Sequence, residues 1–182
     1  VKAIVIKELR RMIKENDAEF EAKGREKPRL YDFSQEDNSR HLCRCPKCKA
    51  LMEKEGGDAG PLVAFLNDVA DDLAKDYPDL KIRTLAYVSS ELAPKTIRPR
   101  DNIVIQYADL YTRSDCYRPL THPVNEKQRE KLADWGKIAK SISVWDYWNM
   151  GKDGVRPSCP DTIPVDVIAE DFRFMRDNNV TD

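Results

Sequence analysis

An α/β fold with a parallel sheet is what this chain predicts, and three observations carry it. Helical and strand-like apolar patterns alternate in the order α, β, α, β, β, α, β, α. Two of the helical patterns are long enough to serve as right-handed crossovers between neighbouring parallel strands. At 182 residues the chain holds one ordinary domain, short of the roughly 250 residues of a complete βα barrel. Four strands cannot close a barrel of eight, so the pattern fits an open sheet or a section of a larger barrel. No repeat, low-complexity tract or shift in composition divides it, and residues 1–182 read as a single domain.

Residues 1 to 15 place Val5, Leu9, Met12 and Ile13 at helical spacing without a starting cap, as though cut from something longer. Residues 16 to 29 are polar, contain Gly24 and Pro28, and read as a loop. Leu30, Tyr31 and Phe33 favour a strand, which the turn residues Ser34, Asp37, Asn38 and Ser39 end. After Gly56, Gly57, Gly60 and Pro61, the positions Leu62, Phe65, Leu66, Val69, Leu73 and Tyr77 form the strongest helical pattern, closed by Pro78. Strands at Ile82 to Tyr87 and Ile103 to Tyr107 follow. The loop between them holds Pro94 and Pro99 and no helical pattern, so one crossover helix is missing. Residues 108 to 124 form a long loop of the kind that often carries function. Asn125 and Gln128 have capping-box spacing ahead of the helix marked by Leu132, Trp135, Ala139 and Ile142. A strand from Ser143 to Trp148, a Gly- and Pro-containing loop, and a helix carrying Val165, Ile168, Ala169, Phe172 and Met175 complete the pattern. Another strand could start near Asn179 and Val180.

Composition removes some functions. Lys and Arg number 31 against 32 Asp and Glu, and no basic run is interleaved with aromatics, which argues against a nucleic-acid partner. No apolar segment approaches the roughly 18 residues of a membrane span, and no signal pattern opens the chain, although one could lie upstream. Five cysteines are an odd number and do not settle the redox compartment.

Chemistry concentrates between Leu30 and Ala50. Cys43, Cys45 and Cys48, spaced C-x-C-x2-C, offer three thiolates to one tetrahedral metal, with Arg44 and Lys47 near enough in sequence to offset their charge. A structural zinc would need a fourth ligand. Cys116 is the favoured choice, with His41, His122 and Cys159 as others; an internal disulfide or free thiols are the alternatives. His122, between Thr121 and Pro123, reads as a turn residue.

The blocks DNSRHLCRCPKC, GPLVAFLNDVADDLAKDYPDLKIRTLAY, PKTIRPRDNIVIQ and WGKIAKSISVWDYW, taken in order, resemble a bacterial family of uncharacterised domains called DUF4838. That family is similar to βα-barrel glycoside hydrolases, including α-glucuronidases and family 20 hexosaminidases. The resemblance implies a (β/α)8 TIM barrel of which this chain is about the C-terminal half, the remainder lying outside it. It also implies a carbohydrate ligand, acidic or N-acetylated, and a secreted or periplasmic setting. The match is strongest at Asp37 and Asn38, which puts Asp37 first among catalytic candidates and Asn38 among substrate contacts. Family 20 enzymes carry an Asp-Glu pair, whereas this chain has Glu36-Asp37.

Hydrolysis of a glycosidic bond needs two carboxyl groups roughly 5–9.5 Å apart. Glu36 and Asp37 lie just past a predicted strand end, where βα folds gather catalytic groups. Asp109 and Asp146 are the candidates for the second carboxylate. The bland reading of Asp37 is a turn residue capping a backbone amide. Trp145, Tyr147 and Trp148 could stack a pyranose ring, or could be sheet core. Tyr87 could donate its hydroxyl to a substrate or to a backbone carbonyl. Arg98, Arg100, Arg113 and Arg118 could clamp a sugar carboxylate, though a solvated loop face suits them better.

Overall fold

A computed structural model describes residues 1–35, 43–108, 118–146 and 165–181. Four strands, β1 (Leu30–Asp32), β2 (Lys81–Ala86), β3 (Ile103–Ala108) and β4 (Ser141–Trp145), pair in chain order and all in parallel. This is the order the alternation predicts. Beyond β4 the chain returns to the same edge: Ile142 N–H donates to Asn179 O, and Thr181 N–H donates to Ile142 O. A fourth parallel pairing, a single bridge between Ile142 and Val180, thus forms where the sequence allows a strand to start.

Register divides the sheet into two unlike faces, because successive side chains in a strand point to opposite sides. On the first face, Tyr31, Ile82 and Ile103 lie side by side, then Thr84, Ile105 and Ile142, then Ala86, Tyr107 and Val144. These residues, Thr84 apart, join the helices in one apolar core. On the second face lie Asp32, Arg83, Val104 and Ser141, then Leu85, Gln106 and Ser143, then Ala108 and Trp145. None of them belongs to that core.

The helices are α1 (Lys2–Ala22), α2 (Pro46–Glu55), α3 (Ala59–Leu73), α4 (Glu126–Gly136) and α5 (Val165–Arg176). The apolar stripe of α3 buries Val63, Leu66, Val69, Ala70 and Leu73 against β2 and β3, and α4 adds Leu132 and Trp135 beside β4. Helix α1 packs beside α3 and buries Ile6, Leu9 and Ile13, with Asn16 donating to the Tyr31 hydroxyl of β1. Among the described residues no helix is long and apolar enough to cross a membrane.

Several sequence expectations need correction. The first helix does not stop at residue 15; it runs to Ala22 because nothing breaks it before Gly24, whose φ of +61° ends the turn. The Asn125 capping box does not form, since the Asn125 side-chain amide donates to the carbonyls of Arg118 and Pro119 and its oxygen caps no helical amide. The fourth strand begins at Ser141 rather than Ser143, and the third helix ends at Leu73, four residues before Tyr77. On α5 the buried row is Val167, Asp171 and Met175, and Phe172 and Val165 face outward. Helix α2 is absent from the sequence reading: its one buried residue is Glu55, so no apolar stripe reveals it.

The link from β2 to β3 does lack a crossover helix and contains only a single 3-10 turn, Val88–Ser90. Side chains from neighbouring helices hold it instead. Glu55 accepts hydrogen bonds from Thr96 N–H, Thr96 Oγ1–H and Ile97 N–H. Asn67 donates to Arg98 O and accepts from Arg100 N–H, and Trp135 Nε1–H donates to Glu91 O. Gly60 lets α3 approach this point, because a Cβ there would lie 2.4 Å from the Cβ of Glu55. Glu55→Ala strips partners from two loop amides and should lower unfolding free energy by on the order of 2–3 kcal/mol. Gly60→Ala should cost ~1–3 kcal/mol through overpacking. Denaturant melts of both variants check this, and a loss under ~0.5 kcal/mol in both would show that the loop is held by other means.

Candidate functional site

Parallel pairing brings the carboxyl ends of all four strands to one edge. Tyr87 follows β2, Trp145 ends β4 and Asp146 comes next. Gln35, three residues past β1, donates from Nε2 to Tyr87 O and so ties two of the strand ends together. Val88 holds φ at +50°, a conformation a β-branched residue adopts only when its surroundings impose it, at a cost of roughly 1–3 kcal/mol. Strain and buried polar atoms coincide here: Gln35 Oε1 and Ser143 Oγ are buried with no hydrogen-bond partner among the described residues.

The second face of the sheet leads up to that edge. Asp32 and Arg83 form an ion pair at 2.6 Å across β1 and β2. Above them Gln106 and Ser143 are neighbours, and above those small Ala108 sits beside Trp145, which is 51% exposed. An exposed indole beside a small residue, with amide and hydroxyl groups one row below, offers an apolar plate over hydrogen-bonding groups. Gln106 and Ser143 escaped the sequence reading. Strand alternation was the signal, since Gln106 is the polar residue in an otherwise apolar Ile103–Ala108.

Glu36, Asp37, Asn38, Asp109, Tyr147 and Trp148, together with Cys116, Cys159, His41 and Arg113, lie outside the described residues. The arginine clamp is not formed by Arg98 and Arg100. Arg100 pairs with Asp71 of α3 at 2.8 Å, and Arg98 donates to the carbonyls of Lys95 and Ile97. Both precede β3 and stand toward the amino ends of the strands, away from the edge just described. His122 is a turn residue, its Nδ1 accepting from Val124 N–H.

Three cysteines do come together. The Sγ atoms of Cys43, Cys45 and Cys48 all lie within 4.8 Å of one another, the first two exposed and the third half-buried. Cys45 is extended (φ −63°, ψ 160°), and Pro46 starts α2, which turns Cys48 back toward it in the first helical turn. The backbone amide of Cys48, then the side chains of Cys43 and Cys48, bring Cys45 down to about 7, and hydrogen bonding to Cys43 and then Cys45 pushes Cys48 up to about 11. Arg44 turns aside to Asp58 Oδ1 and Met52 Sδ, each at 3.1 Å, so its charge serves Asp58. Three thiols this close could bind a metal ion together.

Asp171 was also not singled out in the sequence. It is buried on α5, accepts from Leu120 N–H, and feels the carboxylates of Asp146 and Glu170. Burial raises its carboxyl to about 6, the Leu120 amide opposes this, and the two neighbouring carboxylates add to it. A carboxyl raised in the folded state holds its proton there, so its stabilising contribution is full below the unfolded value of ~3.9 and is lost as pH rises through about 6. Asp171→Asn keeps the acceptor for Leu120 and removes the buried charge. It should gain on the order of 2–3 kcal/mol over the wild type on going from about pH 4 to pH 8, measured by denaturant unfolding across that range.

No curated protein matches the chain, and no solved structure matches it. The family model of the domain of unknown function DUF4838 matches residues 3–182, and the chain belongs to that family.

Proposed function

We propose that this domain is a section of a (β/α)8 barrel, about its C-terminal half, and that its carboxyl-end edge holds an acidic or N-acetylated glycan in the manner of a glycoside hydrolase. The observation that carries the reading is the exposed Trp145 at the end of a wholly parallel sheet, above the polar pair Gln106 and Ser143. Parallel sheets are ordinarily covered on both faces, and a second face that sets Arg83, Gln106, Ser141 and Ser143 among Leu85, Val104 and Ala108 suits the inside of a barrel near its site better than a layer of helices. The sequence resemblance to barrel hydrolases supports the same ligand class. On this reading Asp37 and Glu36 supply one catalytic carboxyl, Asp109 or Asp146 the other, and Asn38, Tyr87, Trp145, Tyr147 and Trp148 contact the sugar. A secreted or periplasmic setting goes with such a substrate.

Calorimetric titration of the full chain with uronic-acid and N-acetylhexosamine oligosaccharides, followed by analysis for cleaved product, tests it. Saturable binding is expected, weakened roughly tenfold (1.4 kcal/mol) by Trp145→Ala. Product that disappears in Asp37→Asn marks an enzyme, and binding without product marks a glycan-binding domain. Absence of binding and of turnover on both ligand classes removes the carbohydrate reading.

The thiol cluster favours a second reading, a non-catalytic interaction domain stabilised by structural zinc at Cys43, Cys45 and Cys48, with Cys116 as the candidate fourth ligand. Its test is metal content: the reduced chain is expected to retain one zinc per molecule through dialysis, and a chain that retains none rejects it.

A further inference from the structure

We propose that a thiophilic cation, zinc, held by Cys43, Cys45 and Cys48 orders helix α2 and thereby seats Glu55 against the β2–β3 loop. The proposal rests on the zinc reading above and adds a role for the ion. Helix α2 has ten residues, fewer than the roughly 12–15 that an isolated helix needs to persist in water. Most helices of this length are held by an apolar stripe. This one buries only Glu55 fully, with Cys48, Leu51 and Met52 half-buried.

What the helix lacks in apolar packing it has as polar anchors at its two ends. At the carboxyl end, Glu55 receives Thr96 and Ile97. At the amino end stand the three thiols, two on the residues leading into the helix and one in its first turn. The costly step in forming a helix is fixing that first turn, before hydrogen bonds repay the lost backbone freedom. One ion bound to all three sulfurs fixes the chain from Cys43 to Cys48, which is that turn. Zinc–thiolate bonds of about 2.3 Å require the sulfurs to lie a little under 4 Å apart, which the present arrangement reaches by small side-chain rotations. Once the first turn is set, propagation delivers Glu55 to the loop between β2 and β3, the connection that no crossover helix supports. The ion would thus act at one end of α2 and be felt at the other.

Hydrogen exchange on the full chain tests this, using protein reduced with a phosphine, stripped by a chelator, and then given zinc alone. One equivalent of zinc is expected to slow exchange at least tenfold in peptides covering residues 46–55 and also at the amides of Thr96 and Ile97. Magnesium, a hard cation, should change neither. In Glu55→Ala, zinc should still protect α2 but no longer the loop amides. In Cys45→Ser, zinc should protect neither; should that variant fail to fold, the wild-type comparison with and without zinc decides the matter by itself. If the reduced chain binds no zinc, the zinc reading falls and this inference with it. If zinc binds and exchange at residues 46–55 and 96–97 is unchanged, zinc stabilisation stands while its coupling to α2 is overturned.

Discussion

A parallel pair of strands obliges the chain to travel back along the sheet between them, and from β2 to β3 it does so without a helix. Backbone donors and acceptors on that return path must find partners away from any regular ladder. Glu55, Asn67 and Trp135 provide them, each from a different helix. The central pair of the sheet therefore depends on polar side chains as much as on the apolar face beneath it. Burial alone would raise the Glu55 carboxyl, yet hydrogen bonds from Thr96 and Ile97 more than offset this and hold it below its usual value. Its contribution is present above the ordinary carboxylate range and fades as pH falls through the lowered value.

The same dependence places α2 in an unusual position. It contributes little to the apolar core but carries the residue that secures the β2–β3 loop, and it opens at the thiol cluster. Two features that look unrelated in the sequence, a run of cysteines and a Pro-rich loop about fifty residues later, are in the folded chain the two ends of one short helix. Arg44 strengthens the connection by pairing with Asp58, next to the start of α3.

The sheet has two chemistries. One face, rich in Ile with Tyr31, Tyr107, Ala86 and Val144, lies against helices, and the other mixes Leu85, Val104 and Ala108 with an ion pair, an amide and hydroxyls below Trp145. Parallel strands buried on both faces usually read as near-continuous apolar runs, and the second face departs from that at Arg83, Gln106 and Ser143. Asp146 and Asp171, by contrast, interact with one another near α5, and the shared negative charge belongs to the packing of that helix as well as to the strand end.

Strand existence, order and parallel pairing were legible in the sequence, because alternating apolar residues and the helices between them leave few right-handed ways to connect neighbours. Helix α3 was legible in its apolar spacing and the missing crossover helix in the lack of one, and near Val180, where a strand could start, a single parallel bridge forms. Local periodicity could not disclose α2, since a helix held at its ends by thiols and a carboxylate shows no apolar stripe. Nor could it extend α1 through the polar residues 16–22, where helical propensity and ion pairs such as Lys23–Glu19 suffice. The close spacing of Cys43, Cys45 and Cys48 was written in the chain, and the turn at Pro46 that gathers their sulfurs makes it a cluster. Arg100 and Asp171 show the limit: whether a charge faces solvent, a partner or the core is set by residues distant in sequence, and only the packed tertiary structure decided it, by bringing Asp71 to the one and Leu120 with Asp146 to the other.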